Sequence, residues 1–353
     1  MESAIPAHLR CPRTRDARAS PDYRPPNPAY VARMGTGVKQ VVMAYIGVQY
    51  RTETGRKAAR EGIGRLRRAA HGGADAPGHH DTSFMIDQAG YETLVWVGYW
   101  RDPQAFARWI AEPEIDAWWK SDERLQEECG WFREVASPGA ERFETLFSAH
   151  NGLEGVARLA EAISGEVIEH GYWGSMRDRF AVGQTDALRG APVLPQAQPQ
   201  PGRRVHVTGV KNLALIRSGQ DWSRTRGSER DLYLQQVEPT FREGMDFLRD
   251  QGGEVGCLSN RYLTLVDEAF NPLEQSYGLS WWRSLELMER WSESHPTHVA
   301  IFATFMSMVN KMNFSLELQL YHEVTVLRAE DQRFEYVNCH PDTGLLRFAT
   351  AAG

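Results

Sequence analysis

Two histidines stand where the surrounding pattern calls for apolar residues. Pro296 is placed to open a helix, since its fixed φ and missing N–H suit the first turn. His298 then shares a face with Phe302, Phe305 and Val309. In residues 316–327 the even positions are Leu316, Leu318, Leu320, His322, Val324 and Val326, and the odd ones are largely polar. Period-two alternation therefore predicts a strand with His322 on its buried face and Glu317 and Glu323 on the other. A buried imidazole loses charge stability and needs partners. Either residue alone reads equally as a core histidine bonded to a carbonyl. A helix and a strand that pack face to face, each presenting one imidazole among Leu, Val and Phe, outline a pocket. That pocket could hold haem between a proximal and a distal residue, or a bare metal ion, although such ions usually take three protein ligands. His295 precedes the proline and is expected outside the helix.

The elements that must position these residues come from an internal repeat. Trp100-Arg101 followed by Arg108-Trp109 recurs as Trp282-Arg283 followed by Arg290-Trp291. An apolar strand precedes each copy, and a proline, Pro113 or Pro296, opens the next helix. Glu134-Val135 with Arg142-Phe143-Glu144 is echoed by Glu323-Val324 with Arg333-Phe334-Glu335. Ordered matches at nearly constant separation mean one α+β unit built twice. Each copy reads strand–helix–strand–strand–helix–strand: a strand at 39–49 and a basic helix at 54–70 in the first, a strand at 206–218 and a helix at 227–250 in the second. That order gives a split βαβ, ferredoxin-like unit. The expected organisation is an extended proline-rich arm (1–36), a first repeat (37–150), a connector (151–205) with a proline-rich surface loop from Gln184 to Arg204, and a second repeat (206–353). Tandem units of this kind form a dimeric α+β barrel-type architecture with extra peripheral helices.

A chain of 353 residues suits two domains or one built twice. Net charge of −6 and the lack of a basic stripe argue against nucleic acid. Cys11, Cys129, Cys257 and Cys339 are far apart and contain no C-x-x-C pair, which excludes covalent haem attachment and zinc-ribbon spacing. No long apolar run and no signal-like N-terminus occur, so a cytoplasmic protein away from membranes is expected. Eleven tryptophans would fill a core or line an apolar ligand pocket.

Five segments carry a family resemblance: Ser294-His295-Pro296-Thr297-His298, Leu320-Tyr321-His322-Glu323-Val324, Asn338-Cys339-His340-Pro341, Glu169-His170 through Met176-Arg177, and Leu215 through Trp222. The ordered set, over about residues 40–350, resembles the aldoxime dehydratases, haem-b lyases that turn R–CH=N–OH into a nitrile and water. The resemblance implies His298 as the proximal ligand of the haem iron and His322 as the distal acid and base. It places Ser218 and Arg177 in the distal pocket and Glu144 as the assisting acid, with Glu141 as the alternative. It further implies a homodimer and a substrate bound through nitrogen to ferrous haem.

On that reading His322 protonates the departing hydroxyl and then accepts the carbon-bound proton, since imidazole titrates near neutrality. Ser218 would hold the hydroxyl, although at a strand end it could equally cap a turn. Arg177, which could also be a surface ion pair, would set the protonation of His322 together with Glu144. The apolar lining suits alkyl or aryl substituents. Competing readings on the same architecture are a haem peroxidase or chlorite-dismutase-like enzyme, a non-catalytic haem carrier or sensor, and a haem-free protein whose histidines are structural.

Overall fold

Strand β1 (Val42–Tyr50) is buried at all nine positions, so both of its faces must be covered. The structure, a computed structural model, describes residues 1–171, 175–200, 203–348 and 350–351. After β1 come α1 (Glu53–Ala70), β2 (His79–Ile86), β3 (Glu92–Trp100), α2 (Pro103–Ile110), α3 (Pro113–Lys120), β4 (Cys129–Ala136) and β5 (Phe143–Phe147). A connector with the short helix α4 (Ser175–Arg179) leads to β6 (Leu213–Asp221). Helix α5 (Gly227–Leu232) continues through a π-helical turn, Tyr233–Val237, into α6 (Glu238–Asp250). Then follow β7 (Cys257–Val266), β8 (Pro272–Trp282), α7 (Leu285–Ser294), α8 (Pro296–Lys311), β9 (Gln319–Leu327) and β10 (Gln332–Val337). Most elements fall within a few residues of their expected limits, but the strand expected at 206–218 is two pieces, Arg204–Val207 and β6. Ser218 therefore lies inside a strand, not at its end.

Among the described residues thirteen strands join in one sheet, running Thr350–Ala351, Gln196–Gln200, Arg204–Val207, β10, β4, β1, β3, β2, β7, β8, β6, β9, β5. The first half contributes the order β4-β1-β3-β2 and the second its mirror, β7-β8-β6-β9. They meet where β2 pairs β7, Phe84 opposite Thr264. Each half then lends its last strand to the other: β5 lies against β9, and β10 against β4. The proline-rich segment expected as a surface linker supplies one of the added strands, Gln196–Gln200, and the first residue of the next, so part of it is paired. The arm is likewise tied down, with Ala32–Arg33 pairing Ala162–Ile163 and Tyr30 bridging Phe147.

One face of both halves meets in a common core, where Met43, Tyr45, Val97 and Tyr99 pack with Leu215, Leu263, Leu279 and Trp281. The opposite faces carry the helices. In the first half Val42, Ala44, Ile46 and Val48 lie under α1, in one cluster with the tryptophans of α2 and α3. In the second, Ala214, Trp282, Val324 and Val326 lie under α6 and α7. This double coverage corrects the expectation for 316–327. Tyr321, Glu323 and Thr325 are buried, because the face opposite His322 meets the inter-sheet core instead of water. Glu323 there accepts from the Tyr99 hydroxyl at 2.8 Å and from the Val156 N–H at 2.6 Å.

Candidate active site

The helix-covered face of the second half holds a cavity of about 490 Å³. Its sheet wall is the even-numbered register of the central strands: Gly278 on β8 pairs with Ser218 on β6, which pairs with His322 on β9. Side chains two apart share a face, so Ile216 and Ser280 line the same wall. The helical wall is apolar, with Leu248, Met288, Trp291 and Ile301. Into it projects His298, on the first turn of α8, T-shaped against Trp291 with centroids 4.7 Å apart. His295 ends α7 and caps α8, its Nδ1 taking the Thr297 N–H at 3.4 Å, and its ring stacks on Phe247 at 4.4 Å. The two histidines singled out in the sequence thus face one chamber, one from helix and one from sheet.

Burial lowers the pKa of His298 to about 4, against an opposing hydrogen bond with the Ser292 backbone. Its ring is therefore neutral near pH 7, the form in which imidazole ligates metal. Among the described residues no group of three His, Cys, Asp or Glu side chains could hold a bare ion. The donor set fits a cofactor that brings its own equatorial ligands, and tryptophan and methionine walls fit a flat apolar ring. Haem satisfies both conditions.

His322 is held from the far side. Its Nε2 lies 3.0 Å from Glu144 Oε1 and 2.9 Å from Arg179 Nη2. Arg179 closes the triangle through Nε to Glu144 Oε2 at 2.5 Å and Nη2 to Oε1 at 3.1 Å, and Nη1 donates to the Glu169 carbonyl at 2.8 Å. Arg179 and Glu144 are almost wholly buried, while 23% of the His322 side chain remains exposed. Burial pushes the Glu144 carboxyl up, but the charges of Arg179 and His322 outweigh it and hold the pKa below the ordinary carboxylate value. A protonated Nε2 can donate to Glu144, and a bare one can accept from Arg179. Both protonation states are satisfied without moving the ring.

Arg177 lies elsewhere. It forks onto Glu289, with contacts of 2.6 to 3.1 Å, donates to the Ala187 carbonyl, and does not line the cavity. Residues two apart on a helix point in different directions, so Arg179 takes the place expected for Arg177. Of the two candidate acids, Glu144 reaches His322, whereas Glu141 pairs with Arg328 at 2.9 Å. The Glu169-His170 segment serves the site indirectly by supplying the carbonyl that Arg179 grips. Tyr172, Trp173 and Gly174 lie outside the described residues. His340 lines a different cavity, with its N–H on Gln49.

Fold and cavity define an α+β protein whose apolar chamber sets a neutral imidazole opposite an acid–base cluster. The model of the haem-containing dehydratase family matches residues 44–345, and the chain belongs to that family. It is 48% identical to the aliphatic aldoxime dehydratase of Pseudomonas chlororaphis, covering 100% of this chain and 99% of the relative. It is 34% identical to the phenylacetaldoxime dehydratase of a Bacillus strain, with 93% of each covered. A crystal structure of an aldoxime dehydratase in complex with butyraldoxime superposes with a TM-score of 0.94 at 47% identity, covering 100% of this chain and 98% of the other. No described helix is long and apolar enough to cross a membrane.

Proposed function

We propose that this protein is a haem-dependent aldoxime dehydratase, converting R–CH=N–OH to a nitrile and water. One observation carries the reading: His298 and His322 share a single apolar chamber, with Ser218 beside His322 and Glu144 and Arg179 behind it. His298 would hold the haem iron from the helical side. When bound, the haem supplies an iron centre for the oxime nitrogen, from which electron density enters the N–O bond.

The chain's own residues handle the protons. Ser218, next to His322 across one strand pairing, hydrogen-bonds the oxime hydroxyl. His322 delivers a proton to that oxygen, so that water departs instead of hydroxide. The imidazole then takes the proton from the oxime carbon as the C≡N bond completes, and ends as it began. Arg179 and Glu144 hold the ring in place through the exchange. Arg177 stays in the supporting layer, fastening α4 to α7 through Glu289.

The same reading takes residues 37–150 and 206–353 as tandem ferredoxin-like units of the dimeric α+β barrel type, flanked by the arm (1–36) and the connector (151–205). The mirrored strand orders support it. A b-type haem, ferrous in the active form, and a cytoplasmic homodimer complete the proposal. The free cysteines and the exposed side chains of Val299 and Phe314 support the last two.

The test is direct. Dithionite-reduced, haem-loaded protein mixed anaerobically with an aliphatic aldoxime should yield nitrile, and His298→Ala should lose the Soret band. Peroxide turnover without nitrile would transfer the protein to the peroxidase class, and a colourless protein despite ample haem would end the haem reading.

A further inference from the structure

Two equivalent rows of the sheet, one per half, reveal how the chamber is made. Facing the helices of the second half, the row reads Tyr262, Gly278, Ser218, His322. In the first half it reads Thr82, Trp96, Ile46, Arg133. Trp96 is fully buried and stacks on Trp109, with centroids 5.4 Å apart and planes at 13°, while Trp100 packs on both. The second half keeps the partners, Trp282 and Trp291, 5.6 Å apart. It has Gly278 where the third indole would be.

Gly278 does not adopt a positive φ, so its backbone would accept any L residue, and space is the reason for glycine here. A Cβ built there would meet Met245 Sδ at 2.5 Å and Phe241 Cζ at 3.7 Å. All three residues line the chamber. Neighbouring strands lie about 4.8 Å apart, so Gly278 is one strand beyond Ser218 on the side away from His322. The Met245 thioether lies directly over Gly278, so a substrate whose hydroxyl is held between His322 and Ser218 meets Met245 and Phe241 on that side of the chamber.

We propose that Gly278, by letting Met245 lie close against the sheet, determines specificity for the aldoxime's carbon substituent, which packs against Met245 and Phe241. The proposal rests on the dehydratase reading. A methyl at 278 displaces only the flexible end of Met245, whereas a branched side chain drives Met245 further into the chamber.

The experiment uses haem-loaded wild type, Gly278→Ala, Gly278→Val and Met245→Ala, with linear aldoximes of increasing chain length. Three quantities are read: haem stoichiometry from the Soret band, aldoxime affinity by spectral titration, and kcat/KM. Gly278→Val should keep full haem and the shortest substrate, yet lose about tenfold or more in affinity and kcat/KM for long substrates, within the range that a few methylenes command. Gly278→Ala should shift the profile the same way but less, and Met245→Ala should move it toward larger substituents. An unchanged profile, or an equal fall at every length, would overturn the assignment. So would loss of haem uptake in Gly278→Ala, because the space would then belong to the cofactor. If wild type binds aldoximes with this length dependence but makes no nitrile, the dehydratase reading fails and the pocket assignment stands.

Discussion

Two charged groups, Arg179 and Glu144, meet within one hydrogen bond of His322 Nε2, and their burial decides what each can do. Arg179 and Glu144 are shielded from water and neutralise each other, so neither can drift away from the ring. His322→Ala should therefore leave haem binding intact while lowering turnover by a factor on the order of 10² or more, the usual share of a general acid and base. The two arginines of α4 separate under the same logic. Arg179→Gln should cut turnover with an unchanged Soret band. Arg177→Gln should leave kcat near wild type and lower the melting temperature instead, because it strands the buried Glu289 carboxylate, a loss of about 3 kcal/mol. Turnover and melting scans on the two variants check this, and the reverse pattern would restore Arg177 to the site. The histidines were legible in the sequence because an imidazole interrupts an apolar face. The choice between Arg177 and Arg179 was not, since both lie in a five-residue helix whose orientation only packing sets.

Helix α8 positions the cofactor side of the site, and its entry is fixed by one residue. His295 both caps the helix and stacks on Phe247, one turn before His298. Removing a cap costs about 1 kcal/mol, and a looser first turn presents the His298 ring less well. His295→Ala should thus weaken haem affinity about fivefold, while His295→Asn, itself a good cap, should restore most of it; haem transfer to an acceptor globin measures both. Equal affinities in all three proteins would separate the cap from the ligand. Helix starts of this kind were readable, since Pro113 and Pro296 announce them and Pro113–Lys120 and Pro296–Lys311 follow. The faces of β9 were not. Alternation gave the period correctly, but the polar register borders a second sheet, and a charged residue such as Glu323 signals solvent unless the partner layer is known. Gly278 escaped for a related reason: a missing side chain gives no signal until its strand is laid beside the one that carries Trp96.

The molecule as a whole is interlocked, which is why Glu144 could be placed only loosely from sequence. It belongs to the first half in chain order, yet β5 crosses over to lie on β9 and completes a site in the second. The tryptophan and Pro–helix repeats made the duplication visible; the exchange of β5 and β10 leaves no periodic trace. Buried charges reinforce the exchange. Glu134 on β4 receives both Arg261 nitrogens from β7, at 2.7 and 2.8 Å, the Trp281 indole at 2.8 Å and the Tyr336 hydroxyl at 2.9 Å. Four donors from the other half converge on one carboxylate. Burial pushes its pKa up, but Arg261 and the remaining donors outweigh that and hold it below the ordinary carboxylate value. A depressed folded-state pKa means that this stabilisation is complete above the unfolded carboxylate pKa and is lost as pH falls through the folded one. The two halves should unfold in a single transition, and the part of its stability that comes from Glu134 should fade on the acid side. Arg261→Met strands the carboxylate and should cost about 3–5 kcal/mol at pH 7. Combining it with Glu134→Leu removes the charge that the single variant leaves buried, and should recover much of the loss. Calorimetry of the three proteins at pH 7 and again below the unfolded carboxylate pKa reads the outcome: two separate transitions in wild type, or a double variant no more stable than Arg261→Met at pH 7, would show that the halves are not held together through this carboxylate.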